Sequence, residues 1–234
     1  VNSMTTPFVG DIDSDSIPEI MACINTSKSP YFSSGFFVIN GRTGEVEDTL
    51  NTVSYNTHGQ CMAFADVDKD RKAELFLLGE DMYAYCYSNT GELKWKSENV
   101  FDNRYLLSVA DVNNDGEAEL VCGRYIYNAK TGKLLINATL ENYGKGFMSP
   151  HNLHVDKDGI KTMSNAFYMY ALANFNYDNN LEMAAGNTLY KIVLTNNEGT
   201  EGNSMTVLRQ AKLNDKVDVV DFFNAENYYN NLIN

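Results

Sequence analysis

The sequence predicts an all-β fold built from repeated four-stranded antiparallel sheets, of the kind found as blades in β-propellers. The first observation is a nine-residue acidic segment that recurs four times, with oxygen-bearing side chains at its positions 1, 3, 5 and 9. The four copies, named acidic loops 1 to 4, occupy residues 11–19, 66–74, 111–119 and 174–182. The second observation is that each copy runs into a short apolar segment and is followed by a glycine-containing turn. Successive copies begin 45 to 63 residues apart. Repeats of this length favour propeller blades over shorter solenoid units.

Each repeat is interpreted as four successive strands. An apolar run precedes the acidic loop, as at 61–65, and a second run follows it, as at 74–78. The third strand ends in a hairpin turn, as at 88–91, where Gly and Asn supply the positive φ that such turns need. The fourth strand follows, as at 92–95, and a short helix is expected at 217–232. The predicted blades span approximately 5–50, 58–98, 104–140 and 164–210, with 211–234 as the start of a degenerate fifth blade or a tail.

Charge and composition narrow the classes of function. The 234-residue chain has a net charge of −13, and the ligand positions of the acidic loops hold much of the acidity. Lys and Arg do not cluster, which argues against a nucleic-acid partner. No apolar run is long enough to span a membrane, and the absence of an initiator Met suggests a processed product or an excerpt. The four cysteines fit buried strand thiols, with disulfides as the alternative.

The acidic loops have the chemistry of calcium sites. Ca²⁺ takes six to eight oxygen ligands in a flexible cage, whereas Zn²⁺ prefers His and Cys, which the loops lack. Residues 1, 3 and 5 of a tight loop converge on one point, and Glu at position 9 closes the cage from the next strand. The predicted ligands are Asp11, Asp13, Asp15, Glu19, Asp66, Asp68, Asp70, Glu74, Asp111, Asn113, Asp115, Glu119, Asn174, Asn176, Asp178 and Glu182. The alternative is a set of Asx-rich turns without metal.

The four loops are not expected to bind equally. Acidic loops 1 and 2 each carry four carboxylates at the ligand positions. Acidic loop 3 carries three, with Gly116 at position 6, where a left-handed backbone is easiest for glycine. Arg71 occupies that position in acidic loop 2, at a strain of about 1 kcal/mol. Acidic loop 4 has Asn174 and Asn176 as neutral ligands and is expected to bind weakest of up to four calcium ions.

Two longer connections are expected to form a binding face opposite the acidic loops. They cover roughly 26–34 and 141–163, and binding residues commonly lie on such loops of a rigid scaffold. A protein or glycan partner is predicted there, with a merely decorated surface as the alternative. The residues expected to contact the partner are Tyr31, Phe32, Tyr143, Phe147, His151 and His154. A metal or acid–base role for the two histidines is the weaker reading, and 155–159 is read as a hairpin turn.

The acidic loops and the strands beside them resemble the FG-GAP/VCBS repeats of integrin-α-like calcium-binding β-propellers. The family pattern is Asp-x-Asp-x-Asp-Gly-x-x-Asp/Glu, and the resemblance covers residues 5 to about 210. The chain departs from it at position 6, where only Gly116 keeps the glycine, and at Asn174 and Asn176. The resemblance implies structural calcium and a secreted or cell-surface protein that mediates adhesion. It also implies a ring of seven or eight blades, completed by further blades of a parent chain or by a partner.

An enzyme is the second hypothesis. Secreted bacterial rhamnogalacturonan lyases use calcium-bearing propellers of a similar general appearance, so a propeller domain of a polysaccharide-degrading enzyme is the alternative function. No Ser-His-Asp, Cys-His or paired-carboxylate arrangement can be picked out in the sequence. A non-catalytic binding scaffold is therefore preferred.

Overall fold

The structure is a computed structural model of the chain. It describes residues 7–25, 32–56, 62–101, 106–138, 153–155, 161–163, 170–176, 178–185 and 188–210. Within these ranges the regular secondary structure consists of β-strands, and helices are absent. The all-β prediction is confirmed. In the same ranges, no helix is long and apolar enough to cross a membrane.

Of the eighteen strands in the described part of the chain, sixteen form four four-stranded antiparallel sheets, each in simple chain order. Sheet 1 contains β1 (Phe8–Gly10), β2 (Glu19–Asn25), β3 (Phe32–Asn40) and β4 (Val46–Asn56). Sheet 2 contains β5 (Met62–Ala65), β6 (Glu74–Leu78), β7 (Ala84–Tyr87) and β8 (Leu93–Lys96). Sheet 3 contains β9 (Ser108–Ala110), β10 (Glu119–Cys122), β11 (Tyr125–Asn128) and β12 (Leu134–Asn137). The last, sheet 4, contains β15 (Ala171–Ala173), β16 (Glu182–Ala185), β17 (Thr188–Val193) and β18 (Ser204–Gln210).

The strand register places every acidic loop in the same position. In each sheet the residue just before the loop pairs with the Glu at position 9, so the loop joins the first two strands. The pairs are Gly10 with Glu19, Ala65 with Glu74, Ala110 with Glu119 and Ala173 with Glu182. The glycine hairpin lies at the same end of the sheet: the amide of Ala129 in the hairpin of sheet 3 donates to the carbonyl of Ala118 in the acidic loop, at 3.0 Å. The sequence placed both turns on one face, and the structure confirms it.

The core lies between neighbouring sheets. One cluster of buried side chains joins sheets 1 and 2, and a second joins sheets 2, 3 and 4. Phe8 of the first strand of sheet 1 stacks on Phe64 of the first strand of sheet 2, with ring centroids 4.2 Å apart. Trp95 on the last strand of sheet 2 donates from Nε1 to the carbonyl of Ala129 in sheet 3, at 2.9 Å. Three of the cysteines, Cys23, Cys86 and Cys122, are buried and not disulfide-bonded, as the strand-thiol interpretation expects.

The two predicted insertions differ in outcome. The first was placed at 26–34, but β3 already begins at Phe32, and Ser33 is buried and pairs with Tyr55 of β4. Its predicted end is therefore wrong, because the chain enters the sheet three residues earlier than predicted. In the second, β13 (Leu153–Val155) pairs antiparallel with β14 (Lys161–Met163), as expected on either side of a hairpin, while residues 156–160 of the predicted turn lie outside the described residues. The expected helix at 217–232 and the fifth-blade segment lie outside the described residues.

Candidate metal sites in the acidic loops

All four acidic loops share one hydrogen bond at their base. The Glu at position 9 is at most 2% exposed in each loop, and its Oε2 accepts the backbone N–H of position 2. The four N–O distances are 2.8 Å for Ile12–Glu19, 3.1 Å for Val67–Glu74, 2.9 Å for Val112–Glu119 and 2.9 Å for Phe175–Glu182. One carboxylate oxygen is thus fixed by the backbone. The other, Oε1, distinguishes the loops from one another.

The first Asp of the loop organises the turn. Asp11 accepts the amides of Ser14 and Ser16 at 2.7 and 3.0 Å. Asp66 accepts those of Lys69 and Arg71 at 2.7 and 2.9 Å. These are the hydrogen bonds of Asx-rich turns, so that feature of the metal-free interpretation is present. The same bonds leave the carboxylates gathered on one side of the turn.

The backbone of acidic loops 1 to 3 is left-handed at positions 4 and 6. Position 6 has φ of +71° at Ser16, +73° at Arg71 and +88° at Gly116. Side chains other than glycine rarely adopt this conformation. The strain expected at Arg71, and the ease expected at Gly116, therefore rest on the observed backbone. Holding two non-glycine residues in this state in one short loop indicates that the surrounding contacts fix the turn firmly.

Acidic loop 1 carries a cluster that can hold a cation. Asp11, Asp13 and Asp15 are exposed, and one carboxylate oxygen from each lies within 4.8 Å of the others. Beneath them, Glu19 is 2% exposed. Burial, and then repulsion from Asp13, Asp15 and Asp11, raises the pKa of Glu19. A divalent cation would relieve that repulsion.

Acidic loop 2 has the same cluster but contains its own positive charge. One oxygen each of Asp66, Asp68 and Asp70 again lies within 4.8 Å of the others. Lys94 of β8 reaches across the sheet, and its Nζ lies 2.6 Å from Asp68 Oδ2 and 2.9 Å from Glu74 Oε1. The hydrogen bond from Lys94 lowers the pKa of Asp68. Acidic loop 2 is therefore not equivalent to acidic loop 1, although the ligand residues of the two loops are identical.

In acidic loop 3, unlike acidic loop 2, one oxygen of the buried glutamate is left without a partner among the described residues. Glu119 is fully buried, and its Oε1 has no hydrogen-bond partner among the described residues; the same holds for the buried Oδ1 of Asn113. Burial, and then repulsion from Asp115, Asp111 and Glu117, raises the pKa of Glu119 to about 8. Unpaired buried oxygens are rare in folded proteins because they lose water without gaining a partner. Two such oxygens in one acidic loop indicate a position for a proton or a cation.

Acidic loop 4 satisfies its buried glutamate with an amide. Asn176 Nδ2 donates to Glu182 Oε1 at 2.7 Å and to Asp178 Oδ2 at 3.0 Å. Asn174 Nδ2 also donates, to the carbonyl oxygen of Asp178. Both asparagines therefore donate N–H groups inside the loop, Asn176 to carboxylates and Asn174 to a backbone carbonyl. This arrangement agrees with the expectation that acidic loop 4 binds a cation weakest.

Neighbouring loops are joined in pairs by backbone hydrogen bonds. The amide of Ala73 in acidic loop 2 donates to the carbonyl of Ile12 in acidic loop 1, at 2.9 Å. The amide of Leu181 in acidic loop 4 donates to the carbonyl of Val112 in acidic loop 3, at 2.8 Å. A side-chain hydrogen bond also links sheet 4 to acidic loop 3: Asn197 Nδ2 of the sheet 4 hairpin donates to Asp115 Oδ2 at 2.8 Å.

The predicted partner face falls mostly on residues that the structure does not describe. Tyr31, Tyr143, Phe147 and His151 lie outside the described ranges. Of the other two, Phe32 begins β3, and His154 lies in β13 opposite Thr162. The partner surface therefore stays a prediction. Lys94 was not among the site residues predicted from the sequence. Its one sequence signal is its place in the strand after the hairpin, three residues beyond Gly91.

The comparisons with known proteins concern the fold. No protein-family model matches the chain, and no curated protein sequence matches it. Among solved structures, the V. cholerae biofilm matrix protein Bap1 is similar with a TM-score of 0.54 and 18% identity, over 91% of this chain and 31% of Bap1. The exotype rhamnogalacturonan lyase YesX has a TM-score of 0.44 and 17% identity, over 89% of this chain and 38% of YesX.

A third similar structure is the rhamnogalacturonan lyase YesW, with a TM-score of 0.43 and 16% identity, over 89% of this chain and 46% of YesW. The chain thus spans less than half the length of each of these proteins. At such identities the likeness to Bap1 shows a shared fold and carries no residue roles.

Proposed function

We propose that this chain is a segment of a calcium-binding β-propeller, in which calcium has a structural role and the protein serves as an extracellular binding scaffold. The observation that carries the proposal is Glu119. Its buried Oε1 faces an acidic loop without a partner, while Oε2 is already fixed by the amide of Val112. A cation in this loop would pair the orphaned oxygen and offset the repulsion from Asp111 and Asp115.

Calcium is the cation that the donors favour. Every predicted ligand is a carboxylate or amide oxygen, and each comes from an acidic loop or from the start of the strand that follows it. Mg²⁺ demands a near-ideal octahedron and gives up its water reluctantly, whereas Ca²⁺ accepts irregular cages of oxygens. Acidic loops 1 and 3 are the proposed calcium sites with the strongest support, because a buried glutamate in each lies close to crowded acids.

The propeller and its membership of the FG-GAP/VCBS family belong to the proposal. They are supported by four sheets of the same strand order that pack side by side in chain order, with their acidic loops at equivalent positions. Additional blades from a parent chain would close the ring and cover the sheet edges that an open array leaves exposed.

An extracellular location is also part of the proposal. Extracellular calcium modules commonly have dissociation constants of roughly 10⁻⁴–10⁻³ M, which suits exposed, partly neutral loops such as these. Bap1, with a similar fold, is a biofilm matrix protein. The partner is proposed to be a protein or glycan bound on the face that carries the 141–163 connection.

Thermal melting with and without calcium tests the metal part of the proposal. We expect EDTA to lower Tm, and calcium of about 10 mM, well above the dissociation constants of such modules, to restore it. The same concentration of magnesium should restore less. Melting curves that coincide in EDTA and calcium would refute a structural calcium site.

A glycan array tests the scaffold part. We expect retention of a glycan, or of a protein partner in a pull-down, without change to the ligand, and loss of retention in EDTA. The array should include acidic and pectic glycans, and the eluted glycans should be sized by mass spectrometry. Shortened products in the eluate would refute a purely binding role and support a polysaccharide-degrading enzyme.

A further inference from the structure

Lys94 owes its position to a β-bulge. Between β7 and β8 the register shifts, so that Cys86 pairs with Trp95 while Tyr87 pairs with Leu93. Lys94 is the extra residue of the bulge. A bulge re-aims a side chain relative to the regular alternation of the strand, and here it sends the ammonium inward to Asp68 and Glu74.

The same bulge occurs at the equivalent place in two other sheets, with different residues. In sheet 3 the register shifts between Ile126 and Tyr127, which leaves Leu135 as the extra residue. In sheet 1 it shifts between Val38 and Ile39, which leaves Glu47. Each of these residues lies three positions after the hairpin glycine, as Lys94 does.

The charge of the residue at the bulge differs between the sheets, and so does the pairing of the buried glutamate in the acidic loop. Leu135 is fully buried and offers no charge, and in that sheet Glu119 Oε1 has no partner. Lys94 offers an ammonium, and in that sheet Glu74 Oε1 is paired at 2.9 Å. Glu47 is itself an acid and accepts a hydrogen bond from Asn40 Nδ2 at 2.7 Å, so it brings no positive charge to sheet 1.

We propose that Lys94 is the resident cation of acidic loop 2 and keeps metal out of it, so that acidic loops 1 and 3 are the main calcium sites. This inference rests on the proposed calcium binding. The ammonium donates to two of the four predicted ligands, Asp68 and Glu74, and an incoming Ca²⁺ would have to displace it and meet its charge at close range. The residue at the bulge thus decides whether an acidic loop is satisfied from within or by metal.

Counting bound calcium in Lys94→Met tests the inference. Methionine keeps most of the side-chain length and removes the charge. We expect isothermal titration and equilibrium dialysis to find one more calcium ion per chain in Lys94→Met than in the wild type. Adding Asp68→Asn to this variant should abolish the gain. Lys96→Met is the matched control: Lys96 lies on the same strand but pairs with Asp81, at 3.0 Å, and the count should not change.

The reciprocal variant is Leu135→Lys, which places an ammonium at the bulge above Glu119. We expect it to bind one calcium ion fewer than the wild type. If Leu135→Lys does not fold, Lys94→Gln still tests the inference, since its neutral amide should also admit calcium to acidic loop 2.

The outcomes separate the two proposals. A wild type that binds calcium, with Lys94→Met and Lys94→Gln at an unchanged ion count, would overturn the role of Lys94 and leave the calcium scaffold standing. A wild type and variants that all bind no calcium would overturn the proposed function, and the inference with it. A gain of one ion in Lys94→Met, absent in Lys96→Met, supports both.

Discussion

Replacing Glu119 by glutamine should have opposite effects in EDTA and in calcium. Glutamine keeps the shape of the side chain and an oxygen for the amide of Val112, which donates to the glutamate at 2.9 Å. It removes the charge from a fully buried position. In metal-free protein that removal should stabilise the fold, whereas in calcium it removes a ligand.

The magnitude follows from the pKa of Glu119. Burial, and then repulsion from neighbouring acids, raises this pKa from 4.5 to about 8. Keeping the group in the folded chain at pH 7 therefore costs on the order of 3 kcal/mol relative to the unfolded chain, where it ionises freely. The glutamine variant avoids this cost. For a chain of this length, each kcal/mol gained corresponds to roughly 2–4 °C in Tm.

The sign of the pH dependence follows from the same shift. A raised carboxyl pKa means that the folded chain holds the proton more tightly than the unfolded chain does. The stabilisation from Glu119 is therefore complete below its unfolded pKa of 4.5 and is lost as the pH rises toward about 8. In EDTA, we expect the wild type to lose stability across this range more steeply than Glu119→Gln.

Urea unfolding of both proteins, in EDTA and in calcium of about 10 mM, measures these effects. At pH 7, Glu119→Gln should be the more stable protein in EDTA and should gain less from calcium than the wild type. Glu92→Gln, at an exposed position of a hairpin, is the control and should shift neither curve. Equal destabilisation by Glu119→Gln in both buffers would refute the view that the unpaired oxygen awaits a cation.

Two further predictions concern the backbone of the turns. Gly132→Ala should cost more stability than Gly44→Ala: both glycines have positive φ, of +72° and +76°, but a Cβ at Gly132 would lie 2.7 Å from the ring of Trp95 and one at Gly44 would meet nothing within 4 Å. The difference in unfolding free energy, measured in urea, should be at least about 1 kcal/mol, because overpacking typically costs about 1–3 kcal/mol. Equal losses of stability in the two variants would contradict the packing of sheet 2 on sheet 3. Arg71→Gly should be neutral or stabilising by up to about 1 kcal/mol, because it relieves a φ of +73°, while the neighbouring Lys72→Gly should destabilise; a loss of Tm at Arg71→Gly as large as at Lys72→Gly would argue against backbone strain there.

The sequence predicted the strands because its polarity is regular at short range. The segment from Leu75 to Leu78 is apolar and flanked by acids and a turn, and it forms a fully buried strand. The loop geometry is likewise local: the left-handed turn at Gly116 and the hydrogen bond between Val112 and Glu119 involve neighbours within nine residues. The end of the first insertion could not be predicted in this way, because Ser33 joins the sheet by pairing with Tyr55. The spacing of residues in the sequence does not reveal that contact.

The difference between acidic loops 1 and 2 could not be predicted from the sequence for a similar reason. Acidic loops 1 and 2 have identical acids at the four ligand positions, so composition makes them equal. The difference lies in Lys94, twenty residues after Glu74 and two strands away, and only the bulge turns its side chain inward. Strand alternation describes regular pairing, and a bulge breaks that rule without a clear sequence signature.

The paired backbone bonds between loops have a consequence for assembly. In each pair one loop has its buried glutamate already paired from within, by Lys94 in acidic loop 2 and by the Asn176 amide in acidic loop 4. Acidic loop 1 is joined to loop 2 through Ile12 and Ala73, and acidic loop 3 to loop 4 through Val112 and Leu181. The self-sufficient member can form before any ion arrives and then restrict the conformations open to its neighbour. Calcium would therefore bind to loops that are already partly ordered, and the conformational entropy lost on binding would be smaller than for four independent loops.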